Sequence, residues 1–175
     1  MSKVGTRFHF RNRVARRAQP RTRIVQALAV ALMWAATQWA TAQGAPRPES
    51  LIKWRQSAYQ VIAWNSGRIK AALAGQFDSH EVQNAANALA AVANSGLAGL
   101  FAPGTAHGKG WRETTARDEV FSDAGKFRAL TEEFAREASA LARVAAAGDR
   151  NTVNAQFLKV AQTCKSCHNQ FRQAD

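Results

Sequence analysis

Apolar positions recur at steps of three and four along most of the chain after residue 47, and no stretch alternates apolar and polar residues over several β-branched positions. Alanine, a strong helix former, appears throughout. The pattern predicts helices and no strands. A first helix follows Pro48, which suits a first-turn position, with Leu51, Trp54, Ala58, Val61, Ile62, Asn65 and Ile69 at helical spacing and Gly75 as a stop. Asp78–Glu81 offers a cap for a second, whose face is marked by Val82, Ala85, Leu89 and Val92 until Ser95-Gly96. Residues 97–117 are rich in Gly, Thr and Pro and read as the one long loop. A third helix runs from about Asp118 through Phe121, Phe127, Leu130, Phe134, Leu141 and Val144 to Gly148. The fourth starts near Asp149 or Asn151 and carries Val153, Phe157, Val160, Cys164, Cys167 and Phe171, in steps of four, three, four, three and four. Two short connections and one long one joining four amphipathic helices predict an all-α, antiparallel up-down four-helix bundle.

Ahead of this bundle the pattern changes. Positions 1–42 hold eight Lys/Arg and no acid, and Ile24–Ala40 is an apolar run closed by the small-residue triplet Ala40-Thr41-Ala42. These are the n-region, h-region and cleavage site of a secretory leader, cut after Ala42. The expected organisation is therefore residues 1–42 as signal peptide and residues 43–175 as the mature bundle, placed in the periplasm. An uncleaved anchor is the competing reading, because Ile24–Ala42 nearly reaches the ~20 residues that span a bilayer. Arg16-Arg17 suggests twin-arginine export, but Pro20 and two further arginines separate the pair from the apolar run. Once the leader is set aside, the formal charge of +12 falls to 16 bases against 12 acids, which removes the case for a nucleic-acid partner. No later segment is apolar enough for stable membrane insertion. The mature 133 residues are one domain's worth.

The chain has two cysteines, and both lie in "CKSCH", residues 164–168, on the apolar stripe of the fourth helix. His168 is four residues after Cys164 and projects on the same side one turn later. Two thiols at this spacing can add to the two vinyl groups of a haem while the adjacent imidazole coordinates the iron, and C-x-x-C-H is the attachment signature for c-type haem. The competing readings are a redox dithiol, which would want a thioredoxin-like βαβ context, half a zinc site, which would want two further ligands, and a disulfide, poorly placed across three helical residues. The segment "GTAHGKG" (104–110) resembles a phosphate-binding loop only loosely, lacking the spacing, the Ser/Thr and the preceding strand, and reads as a flexible connection.

Four helices ending in C-x-x-C-H resemble the class II c-type cytochromes, and "IKWRQSA" (52–58), Gly67, "FAPGT" (101–105), "FSDAGKF" (121–127) and "CKSCHNQFR" (164–172) are similar to that class in order, from about Pro48 to Arg172. Within the class the chain resembles the cytochromes c′. The resemblance implies one haem c per chain, bound covalently through Cys164 and Cys167, with His168 as the metal ligand. Low-spin members take a methionine from the first helix as sixth ligand, whereas Met1 and Met33, the chain's two methionines, both lie in the leader. His80, at a helix start, and His107, in a glycine-rich loop, read as surface residues. The expected iron is five-coordinate and high-spin, open to small gases such as NO and CO or to single electrons. The alternative is a six-coordinate, low-spin electron carrier.

By the family's pattern Tyr59 faces the open side, with Ile62 one turn on and Phe127 as a third wall; a core aromatic is the plainer account of Tyr59. Arg172 is implied to lie beside the proximal imidazole, and otherwise complements the last helix's C-terminus. Arg55 is implied to partner a haem propionate, and is otherwise a solvated helix arginine. The resemblance further implies a homodimer built on the first two helices and a redox partner that the sequence does not identify. No acid–base pair for catalytic turnover is visible, so the expectation is a protein that is not an enzyme.

Overall fold

A computed structural model describes residues 45–173. The expected leader, with its cleavage site, lies outside the described residues. The bundle is helical, and its long elements are α1 (Pro48–Ala74), α2 (Ser79–Ala93), α4 (Ala124–Ala145) and α5 (Arg150–Phe171), with a short α3 (Glu119–Ser122) before α4. Caps explain the boundaries. Pro48 opens α1, the Asp78 carboxylate accepts from the His80 and Glu81 amides at 2.9 and 3.1 Å, and Asp149 accepts from the Thr152 amide at 2.7 Å. Asn94 caps the end of α2, its backbone N–H donating to the Ala90 carbonyl at 3.0 Å, and Gly96, at φ +83°, takes the left-handed conformation that leads into the 3-10 turn Leu97–Leu100. The Arg150 guanidinium donates to the Leu73 carbonyl and so ties the start of α5 to the end of α1.

Two expectations need correction. The third helix is broken at Asp123, whose φ of −120° and ψ of +49° leave the helical region, while its carboxylate accepts from the Lys126 amide to start α4. Trp54 and Val61 do not face the core: they are 52% and 40% exposed, and with Trp64 at 64% they form a stripe on the outside of α1. The buried face of α1 is instead Leu51, Ile52, Arg55, Ile62, Asn65 and Ile69. Helix α1 is thus apolar on two sides, one inward and one outward.

Helix α1 packs on α2, α2 on α4, and α4 on α5. Ile69, Val82, Leu89, Leu141 and Val153 are fully buried at the centre, with Ala85, Ala86 and Ala138 letting the helices approach closely. Full burial of each larger side chain stabilises by about 1.5–3 kcal/mol. A second, smaller cluster, Val120, Phe127 and Phe171 with Phe101 and Leu130 against it, lies where α5 ends. The pairing that would close the ring, α1 against α5, is missing from the packed pairs, and the two helices flank a slot.

The long loop is not a free connection. Residues 105–117 form a strap that crosses from α1 to the end of α5. On the α5 side the Arg117 amide donates to the Phe171 carbonyl at 3.0 Å, and the Gln173 amide to the Thr115 carbonyl at 2.8 Å. On the α1 side the Gln56 amide group donates to the Arg112 carbonyl at 2.9 Å and accepts from the Trp111 amide at 2.7 Å. Gly110 is required there, since a Cβ would come within 2.8 Å of the Lys53 backbone nitrogen.

Candidate functional site

The slot between α1 and α5 has a volume of about 410 Å³, within the range of small-molecule and cofactor sites. Cys164, Cys167 and His168 line its α5 wall, and Tyr59, Ile62 and Ala63 face them from α1. Phe127 closes it from α4, and Arg55 and Arg172 also line it. All eight residues singled out from the sequence therefore line one cavity. His80 and His107 do not; His107 instead pairs with Asp118 at 3.0 Å on the surface.

The chemistry of each group follows from its surroundings. Both cysteines are free and half-buried. Burial pushes the Cys167 thiol up to about 11, with Cys164 adding to the shift, and burial raises Cys164 as well. A redox dithiol works through a thiolate stabilised below its ordinary value. The shift here is in the opposite direction, and that competing reading loses its support. Among the described residues no group of three or more His, Cys, Asp and Glu side chains could hold a metal ion, so a zinc site finds no further ligands. Burial also raises the Tyr59 phenol above its ordinary value, the neighbouring Cys167 adds to this, and Arg55 partly opposes it. The phenol is neutral at physiological pH.

Arg55 is buried, at 3% exposure, without a carboxylate. Its guanidinium donates to Thr105 Oγ1 at 3.0 Å, the Thr105 carbonyl at 2.5 Å and Thr114 Oγ1 at 2.6 Å, and lies 4.5 Å from the Phe101 ring centroid. The solvated-arginine reading is thereby corrected: Arg55 pins the strap to α1. Burial lowers its pKa, with Tyr59 opposing, yet an arginine this far above neutrality stays charged.

Sequence reasoning missed Phe101, Phe171 and the strap as walls. Phe101 meets Tyr59 edge-on at 6.4 Å and Phe127 at 4.7 Å, and Phe127 meets Phe171 at 5.3 Å. Phe101 stands in a Gly- and Pro-rich stretch with no period to betray it. The "FAPGT" similarity was the one available signal.

An open slot with two free thiols and an imidazole on one helix wall, and with neither a methionine nor a second imidazole among its lining residues, fits a helical bundle of the c-type cytochrome class. Comparison with known proteins narrows this. Residues 50–172 match the family model Cytochrome C′. The cytochrome c′ of Rhodocyclus tenuis is 50% identical over 130 residues, covering 74% of this chain and 98% of the relative. Among solved structures, a cytochrome c′ with an unusual ligand-controlled dimer dissociation superposes with a TM-score of 0.72 at 38% identity, covering 75% of this chain and 100% of the other. A nitric oxide complex of a cytochrome c′ variant from Alcaligenes xylosoxidans superposes at 0.67 with 30% identity, covering 75% and 99%. The chain belongs to the cytochrome c′ family, a four-helix bundle with covalently bound haem c. The donor set fits that group: Cys164 and Cys167 are unpaired thiols on the cavity surface, next to the one imidazole that lines it.

Proposed function

We propose that the protein is a periplasmic cytochrome that binds small diatomic gases, nitric oxide foremost, at an iron held by His168 and left open on its other side, and that exchanges single electrons there. One observation carries the reading: of all the side chains lining the slot, His168 is the sole imidazole and none is a methionine. The α1 wall across from it offers the neutral Tyr59 phenol, the apolar Ile62 and Ala63, and the polar Gln56, Gln60 and Ser66, with no imidazole or thioether. A phenolate can ligate haem iron, but the burial that raises Tyr59 disfavours it at neutral pH. An electron shuttle that binds nothing gains from a saturated iron, and neither a methionine nor a second imidazole lines the slot to saturate one.

Within this reading Cys164 and Cys167 anchor the haem, which supplies gas binding and one-electron redox chemistry. Tyr59, with Ile62 and Phe127, occupies the space an incoming gas must take. Arg172, which caps the end of α5 and lines the slot, lends positive charge near the imidazole, and its backbone N–H donates to the His168 carbonyl at 3.1 Å. Arg55 uses three of its N–H groups on the strap, and the others remain for a carboxylate of the haem. The outer stripe of α1, Trp54, Val61 and Trp64, is the surface through which two copies pair. The same helix carries Tyr59, so displacement of that ring by a ligand reaches the dimer, in keeping with the relative whose dimer dissociation is ligand-controlled. Among the described residues no helix is long and apolar enough to cross a membrane. Export through residues 1–42 places the site in the periplasm.

The test is titration of the purified ferrous protein with nitric oxide. Stoichiometric binding of one NO per chain, lost together with the colour in a Cys164→Ala, Cys167→Ala double variant, is expected. A coloured protein that takes up no NO overturns the gas-binding reading.

A further inference from the structure

Trp111 stands on the strap beside the slot, and no part of the gas-binding account uses it. Its indole N–H donates to Ser57 Oγ at 2.9 Å, its backbone N–H to Gln56 Oε1 at 2.7 Å, and the Lys53 ammonium lies 5.3 Å from its ring centroid. The preceding Gly110 lies so close to α1 that a Cβ would come within 2.6 Å of Gln56 Oε1. Despite these restraints the residue is 64% exposed. A tryptophan that only anchored the strap would turn its ring into the helix surface, where burial is favourable. Here the hydrogen bonds fix the ring and leave it in water, so no rotamer entropy is left to lose on contact.

Three exposed cations stand against two carboxylates on this patch, a net positive balance. Lys53, Lys109 and Arg112 are exposed, Glu113 is the one exposed carboxylate between residues 105 and 117, and Glu49 lies a turn before Lys53. Arg112, next in sequence, lines the slot together with Gln56, which puts this patch at the cavity mouth. A pre-positioned, exposed indole with the Lys53 ammonium over its ring and two further exposed cations on the same strap has the composition of an interface anchor with a steering field.

We propose that Trp111, with Lys53, Lys109 and Arg112, is the docking surface for a one-electron donor protein that is rich in carboxylates around its own redox group. The inference deepens the electron-transfer part of the proposed function and rests on it. One electron passes per encounter: the donor is oxidised, the cytochrome is reduced, and no bond is made or broken.

The experiment uses the ferric holoprotein and, as probe, the hydroquinone form of a flavodoxin, a small acidic one-electron donor, with dithionite as the small-reductant control. Stopped-flow rate constants with the flavodoxin should fall with added salt, by about tenfold in Lys53→Glu/Arg112→Glu and about threefold in Trp111→Ala. A charge reversal at Arg136 and Arg143, which line a separate groove on α4, should leave them unchanged. In an NMR titration with oxidised flavodoxin, the Trp111 indole N–H signal should move while those of Trp54 and Trp64 stay. Flavodoxin rates that ignore the Lys53/Arg112 reversal, or fall equally with the Arg136/Arg143 reversal, overturn the docking surface while dithionite reduction stays intact. A protein that dithionite fails to reduce overturns the redox reading beneath it instead.

Discussion

Replacing Tyr59 with alanine opens the α1 wall of the slot. In the wild type the ring packs edge-on against Phe101 with centroids 6.4 Å apart. Under the proposed function a gas binds on that side and has to move the ring. The move forfeits the edge contact, worth about 0.5–1.5 kcal/mol, and re-exposing roughly 40 Å² of ring to water costs about 1 kcal/mol more. The combined penalty of about 1.5–2.5 kcal/mol is expected to lower CO affinity by about 10- to 70-fold. Tyr59→Ala should therefore bind CO tighter by that factor, with most of the gain in the association rate, because the ring blocks the way in. Tyr59→Phe keeps the bulk and should stay within about twofold of the wild type, since sterics dominate. CO titration and flash-photolysis rebinding of the ferrous proteins measure both quantities. An alanine variant whose CO affinity lies within twofold of the wild type, with an unchanged haem spectrum, would refute the reasoning and make Tyr59 a core aromatic.

Other consequences are open to direct measurement. Arg55→Met leaves the carbonyl of the fully buried Thr105 without its charged donor; a loss of about 3 kcal/mol, or about 10 °C in Tm, is expected, with protease cutting between residues 105 and 117. The Asp149 carboxyl is held below its ordinary value by hydrogen bonds from Thr152, so the stability it contributes is present above its unfolded value near 4 and is lost as pH falls through the folded value. The Tm difference between wild type and Asp149→Ala should accordingly shrink below about pH 4. Val61→Glu/Trp64→Glu places charge on the exposed stripe of α1 and should give monomers in sedimentation experiments with helicity retained; an unaltered dimer would move the interface elsewhere.

How legible the molecule was depends on how local the cause is. Helix α5 could be read because its slot-facing and core-facing positions fall on one stripe, so that Val153, Val160 and Cys164 share the period that any amphipathic helix shows. Helix α1 misled at Trp54 and Val61 because it has two apolar faces, and periodicity counts apolar residues without telling which face has a partner. The break at Asp123 has no Pro, and the nearby Gly125 lies inside α4; the break rests on a single carboxylate turning back to cap α4. The docked strap was invisible for another reason. Arg55 finds Thr105 and Thr114 at separations of 50 and 59 residues, and Gln56 finds Arg112 at 56, distances over which no local pattern operates. The gathering of Cys164, Cys167 and His168 on one cavity wall was the most legible feature, since the three sit within five residues on one helix.

The central claim is that the slot supplies one ligand to the iron and leaves the other side open. Resonance Raman spectra of the ferrous protein at neutral pH test it most directly. The account predicts a five-coordinate, high-spin haem whose signature is unchanged in His80→Ala and His107→Ala. A six-coordinate, low-spin spectrum that either substitution abolishes would contradict it.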